Sequence, residues 1–152
     1  MSAAVASLPT PAPAVSPEAE RFWNATAEGK LLLPRCRACA STFWYPRGLC
    51  PSCGATDLEW TEASGQGTIY SFTVIHRGEG AYRDATPYVV AYVELDEGPR
   101  LLTNVVDTDP DTVTVGQAVE VVFHDTGEGN ALPRFRPAAP DRTTDKTEVI
   151  DG

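Results

Sequence analysis

The chain has 152 residues, 42% hydrophobic and 22% charged, with a formal net charge of −9. Such a composition is globular and leaves room for one ordinary domain, or for a small metal module and a second compact unit. No run approaches the ~18 consecutive apolar residues of a membrane-spanning helix, and no basic leader opens the chain. A cytoplasmic protein without a membrane partner is expected.

The charge is uneven. Residues 21–60 carry five Lys/Arg against three Asp/Glu, whereas residues 61–152 carry seven against sixteen. An acidic second half opposes a polyphosphate backbone. The mildly basic first part suits a compact anion better than a long nucleic acid.

In chain order, residues 1–16 are rich in Ala and Pro and contain no Lys or Arg, which predicts a disordered tail. Ser16-Pro17-Glu18 then places an N-cap, a proline at the first helical position and an acid in the first turn. Ala19, Phe22, Trp23 and Thr26 recur at helical spacing, and Gly29 sits at the C-terminal cap. A short helix over roughly 17–28 is predicted. Leu31-Leu32-Leu33 reads as a strand, and Phe43-Trp44-Tyr45 and Leu58-Glu59-Trp60 flank a second turn.

Between these lie Cys36-Arg-Ala-Cys39 and Cys50-Pro-Ser-Cys53, the whole cysteine content of the chain. Two such turns ten residues apart can set four thiolates tetrahedrally around one zinc ion. Gly54 suits the positive φ such a turn often requires. Two disulfides are the competing pattern, but they need an oxidising compartment. Four thiolates leave zinc no open position, so the metal is expected to be structural. Short strands around two cysteine turns describe a rubredoxin-like zinc ribbon.

From Gly65 the apolar period becomes that of strands. Five are predicted, at 68–75, 88–95, 100–106, 117–123 and 132–136, separated by Gly-, Pro- and Asp-rich turns. With no helix evident between them, they suggest a five-stranded OB-fold barrel, with a small β-sandwich as the competitor. The fold class is therefore mainly β: a short N-terminal helix, a zinc ribbon and a barrel. The expected division is a tail over 1–16, helix and ribbon over 17–62, barrel over 63–137, and a second disordered tail over 138–152.

No catalytic constellation emerges. The cysteines are committed to metal, Ser71 lacks a nucleophile-elbow context, and His76 and His124 stand at strand ends. Recognition surface remains. Phe22, Trp23, Phe43, Trp44 and Tyr45 cluster around helix and ribbon, where they either cement the units together or meet a partner. Arg35, Arg37 and Arg47 beside the cysteine turns, and Arg134 with Arg136 on the last strand, are candidate phosphate ligands.

In this order and spacing, the residues resemble a family of small acyl-CoA-associated accessory proteins long known only as a domain of unknown function. The likeness covers about residues 17–137. It is carried by Phe22-Trp23, Leu31-Leu32, Cys36-x-x-Cys39, Cys50-Pro-x-Cys53, Trp60, Ser64-Gly65-x-Gly67-Thr68-x-Tyr70-Ser71-Phe72-Thr73, Pro87-Tyr88-Val89-Val90-Ala91, Leu101-Leu102-Thr103-Asn104, Gly116-Gln117-x-Val119 and Pro133-Arg134-Phe135. The resemblance implies a rubredoxin-like ribbon followed by an OB-fold. It also implies a non-catalytic subunit that docks on a thiolase-superfamily enzyme and helps hold acyl-CoA. That enzyme would be a thiolase, an acyltransferase, or a lipid-transfer-protein-like aldolase of steroid side-chain degradation.

On that expectation one structural zinc sits on Cys36, Cys39, Cys50 and Cys53. Arg35, Arg37, Arg47 and Trp44 contact CoA, and Phe22, Trp23, Phe43 and Tyr45 face the partner. The alternative is a single-stranded nucleic-acid binder, with Tyr70, Phe72 and Tyr92 as a stacking platform. The acidic barrel segment argues against it.

Overall fold

The computed structural model describes residues 7–139. Parts of both predicted tails, residues 1–6 and 140–152, lie outside the described residues. A 3-10 turn at Pro17–Ala19 runs into α1 (Glu20–Thr26), which buries Phe22, Trp23, Ala25 and Thr26 along one face. Gly29 ends it at φ +72°, with its N–H on the Thr26 carbonyl. β1 (Leu32–Cys36) and β2 (Leu58–Glu62) form an antiparallel pair in register from Leu32↔Glu62 to Cys36↔Leu58. The two cysteine turns fill the connection between them. The Phe43 region contributes no strand of its own, only a bridge between Arg35 and Thr42.

The remaining strands are β3 (Gln66–Ile75), β4 (Tyr88–Leu95), β5 (Arg100–Val105), β6 (Ala118–Asp125) and β7 (Ala131–Pro137). They close into a barrel in the order β3-β4-β5-β7-β6. Counted within the barrel, the third strand pairs parallel with the fifth, and the fourth returns antiparallel to the first. That is the Greek-key order of an OB-fold. The parallel seam is short. Val105 and Phe135 are in register there, Val106 N–H donates to the Phe135 carbonyl at 2.7 Å, and the Thr103 hydroxyl donates to the Pro133 carbonyl at 2.9 Å.

Strand alternation fills the barrel. Val89, Ala91, Val93 and Leu95 of β4, with Leu101 and Val105 of β5, point inward to meet Ile69, Val119 and Phe135. A second 3-10 turn, Gly80–Ala85, lies between β3 and β4, where no helical element was expected.

Helix, ribbon and barrel share one core. Ala19, Phe22, Trp23, Leu31 and Leu33 belong to the same buried cluster as the barrel residues. A polar tie adds direction: the buried Thr26 hydroxyl accepts from Ala131 N–H at 3.0 Å while donating to the Trp23 carbonyl. It thereby satisfies a buried backbone donor at the start of β7.

The expectation of disorder over 1–16 fails for its described part. Leu8 is buried, and the Pro9 carbonyl accepts from the Arg134 guanidinium. The proline-rich composition suits an extended segment laid along a surface as well as it suits a free tail.

Gly67 has a distinct role inside β3. A Cβ there would lie 2.5 Å from the Glu94 carbonyl oxygen and 2.8 Å from Val93 Cγ1, and backbone in a paired strand cannot retreat. Gly67→Ala should therefore cost about 1–3 kcal/mol and lower Tm by several degrees. A thermal melt followed by circular dichroism checks this, and an unchanged Tm would mean that β4 yields freely.

Candidate functional site: the four-cysteine centre

The two cysteine turns are built alike. Ala40 N–H donates to the Cys36 carbonyl and Gly54 N–H to the Cys50 carbonyl. Cys36 N–H in turn donates to the Ser41 carbonyl, and Cys50 N–H to the Ala55 carbonyl. The residue after each second cysteine is left-handed: Gly54 at φ +78° and Ala40 at φ +66°. Gly54 adopts that conformation without strain, whereas Ala40 holds it against its own Cβ.

The turns bring all four sulfurs within 4.8 Å of one another, with Cys39 and Cys50 3.5 Å apart and Cys36 and Cys53 3.6 Å apart. Tetrahedral sulfurs each ~2.3 Å from zinc lie about 3.8 Å apart, so the cluster has the size of a zinc site. The cysteines are free thiols, which excludes the disulfide pattern. Cys36 and Cys50 are buried, and Cys39 and Cys53 face solvent.

Protonation tells the same story. The Ser41 hydroxyl, then its backbone N–H, and the neighbouring Cys50 bring the Cys39 thiol down to about 6. At Cys53 the Ala55 N–H favours the thiolate, but crowding by Cys36, burial and the other thiols outweigh it and push the group up to about 12. Four clustered sulfurs cannot all ionise unaided; a dication at their centre lets them do so. Cys36, Cys39, Cys50 and Cys53 thus hold one structural zinc, as expected from their spacing.

The surroundings depart from expectation. Phe22, Trp23 and Phe43 are buried within the chain, at 0%, 8% and 6% exposure, so they do not form a partner surface. Phe22 stands edge-on to Trp44 with ring centroids 4.5 Å apart, Trp44 edge-on to Tyr45 at 4.9 Å, and Trp23 Nε1 donates to the Tyr45 hydroxyl at 3.0 Å. Trp44 and Tyr45 are half-buried. The aromatic cluster joins helix to ribbon, and only its outer members reach solvent.

Arg35 and Arg37 are already engaged. Arg35 Nη1 donates to Glu59 Oε1 at 2.8 Å, and Arg37 reaches Glu59 Oε2 and Asp57 Oδ1, both at 3.2 Å. Arg35 and then Arg37 hold the Glu59 carboxyl below the usual carboxylate range. A phosphate would have to displace these carboxylates. Arg47 is exposed, bonds the Tyr45 carbonyl through Nε, and among the described residues makes no ion pair. On the barrel, Arg136 pairs with Glu120, and Arg134 is buried with His124 Nδ1 and the Pro9 carbonyl as partners. His124 stands near the end of β6, as expected, with Nδ1 against the Arg134 guanidinium. The carboxylates of Asp57 and Glu59 were missed from sequence; their single signal was strand pairing, which sets Glu59 opposite Arg35.

Comparison with known proteins agrees with this geometry. Residues 23–59 match the family model described as the ChsH2 rubredoxin-like zinc ribbon domain, and residues 60–124 the ChsH2 C-terminal OB-fold domain. A DUF35 domain-containing scaffold protein of Methanothermobacter thermautotrophicus is 41% identical over 110 residues, covering 68% of this chain and 83% of that protein. The chain belongs to the DUF35 family.

A probable enoyl-CoA hydratase alpha subunit of Thermomonospora curvata is 38% identical over 130 residues; this chain spans 40% of its length. A benzoylsuccinyl-CoA thiolase subunit of Geobacter metallireducens is 31% identical over 89 residues, 59% of this chain and 58% of that one. Among solved structures, a chain of the Ltp2-ChsH2(DUF35) aldolase superposes with a TM-score of 0.77 at 37% identity, covering 84% of this DUF35 chain and all of that one. Among the described residues no helix is long and apolar enough to cross a membrane.

Two experiments probe the centre. Cys53→Ser should drop zinc from about one per chain to near zero on metal analysis and unfold the ribbon, since structural zinc contributes about 10–16 kcal/mol in small modules. Full retention of zinc would remove Cys53 from the ligand set. Ala40→Gly should raise stability and Gly54→Ala lower it, each by about 1 kcal/mol, seen as urea midpoints moving in opposite directions. Shifts of the same sign would mean that the two turns are not equivalent.

Proposed function

We propose that this chain is a non-catalytic scaffold subunit that docks on a thiolase-superfamily enzyme and helps hold acyl-CoA, leaving bond-making and bond-breaking to the partner. One observation carries the proposal: the fold matches the full length of a chain of the Ltp2-ChsH2(DUF35) aldolase at 37% identity. The closed four-thiolate centre is consistent with it, because such a zinc has no position for substrate or water. The cytoplasm is the corresponding compartment, where thiolates stay reduced. Acyl-CoA as ligand is further favoured by relatives named for enzymes of CoA thioesters.

Within the ribbon, Arg47 is the side chain best suited to a CoA phosphate, since it is exposed and makes no ion pair among the described residues. Trp44, half-buried and three residues away in sequence, is the ring assigned to the adenine. Arg35 and Arg37 orient Glu59 and Asp57 and are secondary candidates.

The test is kinetic, on the complex of this chain with its thiolase-superfamily partner. The isolated chain should turn over no acyl-CoA. In the complex, Arg47→Ala should raise KM for acyl-CoA roughly tenfold, the worth of one charge-assisted hydrogen bond. Turnover should hardly change, as for lost ground-state binding. Arg37→Ala should move KM by less than about twofold. An unchanged KM in Arg47→Ala would take CoA away from the ribbon, and turnover by the chain alone would end the scaffold proposal.

A further inference from the structure

The described residues contain six large hydrophobic side chains that are well exposed, and three stand together. Val15, Leu49 and Val115 are scattered over the helix approach, the ribbon and a turn. Tyr70, Tyr92 and Leu102, at 49%, 46% and 61% exposure, lie on the neighbouring strands β3, β4 and β5. Tyr92 and Leu102 are directly opposite in the β4–β5 ladder. Tyr70 joins them through a bulge between Ile69 and Ser71, where two residues of β3 face Tyr92. Single exposed apolar residues are ordinary, but a contiguous set on one sheet face marks an interaction site.

A cation completes the face. The Arg100 guanidinium lies 3.7 Å above the Tyr70 ring centroid, and its Nε donates to Glu94 Oε2 at 3.0 Å. It therefore crosses β4 and is held from both sides before any partner arrives. Tyrosine and arginine are the residue types that dominate protein interfaces, and ordering them in advance reduces the entropy lost on association.

Charge selects the occupant. Asp96 and Glu97 stand in the turn between β4 and β5 at the edge of the face, on a chain of net charge −9, while Glu94 is paired with Arg100. A second copy would bring a like-charged rim against this one, and like-charge juxtaposition is costly. A nucleic-acid strand would meet the same acidic edge, while Arg100 is already neutralised by Glu94. The complement is a folded protein with an apolar face and a basic rim.

We infer that the outer face of β3, β4 and β5, centred on Tyr92 and Leu102 with Arg100 stacked on Tyr70, is where this chain docks its partner enzyme subunit. The inference rests on the docking function proposed above and assigns it to the barrel, leaving the ribbon for ligand contact. The occupant is the thiolase-superfamily subunit, through a surface that is apolar at its centre and carries Lys or Arg around it.

The test uses the full chain and the thiolase-superfamily subunit that co-purifies with it, with Kd measured by calorimetry or interferometry. Leu102→Glu and Tyr92→Ser should each weaken the complex about 30-fold or more, the range of central interface residues. Zinc content and the thermal midpoint should stay at wild-type values, because neither side chain is in the core. Leu49→Ser and Val115→Ser, equally exposed elsewhere, should change Kd by less than about twofold. If the complex forms and survives both barrel substitutions, the face is not the docking site and the scaffold function stands. A loss of affinity in Leu49→Ser instead would assign docking to the ribbon and overturn the inference. Concentration-dependent dimerisation abolished by Leu102→Glu, or salt-sensitive single-stranded DNA binding abolished by Tyr92→Ser, would overturn the choice of occupant. If no thiolase-superfamily subunit co-purifies, the scaffold function falls, and this inference with it.

Discussion

Four sulfurs converging within 4.8 Å hold together a ribbon that has almost no core of its own. The buried apolar cluster inside it is Cys36, Phe43 and Cys50, so two of its three members are metal ligands. So small a cluster cannot offset the conformational entropy of ordering the loop between β1 and β2. The metal–thiolate bonds supply what hydrophobic burial cannot, as in other small modules stabilised by an ion. Everything placed around the cysteine turns depends on this constraint, including Arg47, Trp44 and the Glu59 network.

The ribbon's other face is stabilised differently. Leu31 and Leu33 enter the barrel's own core beside Phe22 and Ala19, and Thr26 caps the first backbone N–H of β7. A seven-residue helix is too short to be stable alone; this one persists because it is wedged between two sheets. Helix, ribbon and barrel are therefore one mechanical body. That rigidity suits the scaffold role proposed above, since misplacement by even 1 Å at a reacting centre is costly.

Chemistry is divided in the same way. The zinc is saturated by protein, the cations near it are largely paired, and the described histidine with buried partners, His124, is occupied by Arg134. A pairing of this kind orients groups but leaves little to accept or donate a proton during turnover. What the molecule presents outward is a planar cation stacked on a tyrosine, an apolar sheet face, and an exposed arginine on the ribbon. These are means of recognition.

The amino-acid order alone specified a great deal. Cysteine spacing defined the metal centre, because ligand geometry is local and each turn closes within four residues. Period-two alternation located all five barrel strands to within about two residues, because burial of one face is written directly into the pattern. Side-chain partnership was left to the tertiary structure. Phe22 and Trp23 looked like surplus aromatic surface until the barrel came to lie against them, and Phe43 until the cysteine turns closed around it. Arg35 and Arg37 looked available until strand pairing brought Glu59 between them. Strict alternation would put Tyr70, Phe72 and Tyr92 on one platform, but the bulge after Ile69 turns Phe72 into the core and keeps Tyr70 outside. A single inserted residue reverses the facing of everything beyond it, and nothing in the local sequence announces it. Contacts between residues distant in sequence are set by how the elements close on one another, which is why the ligands were legible and the surfaces were not.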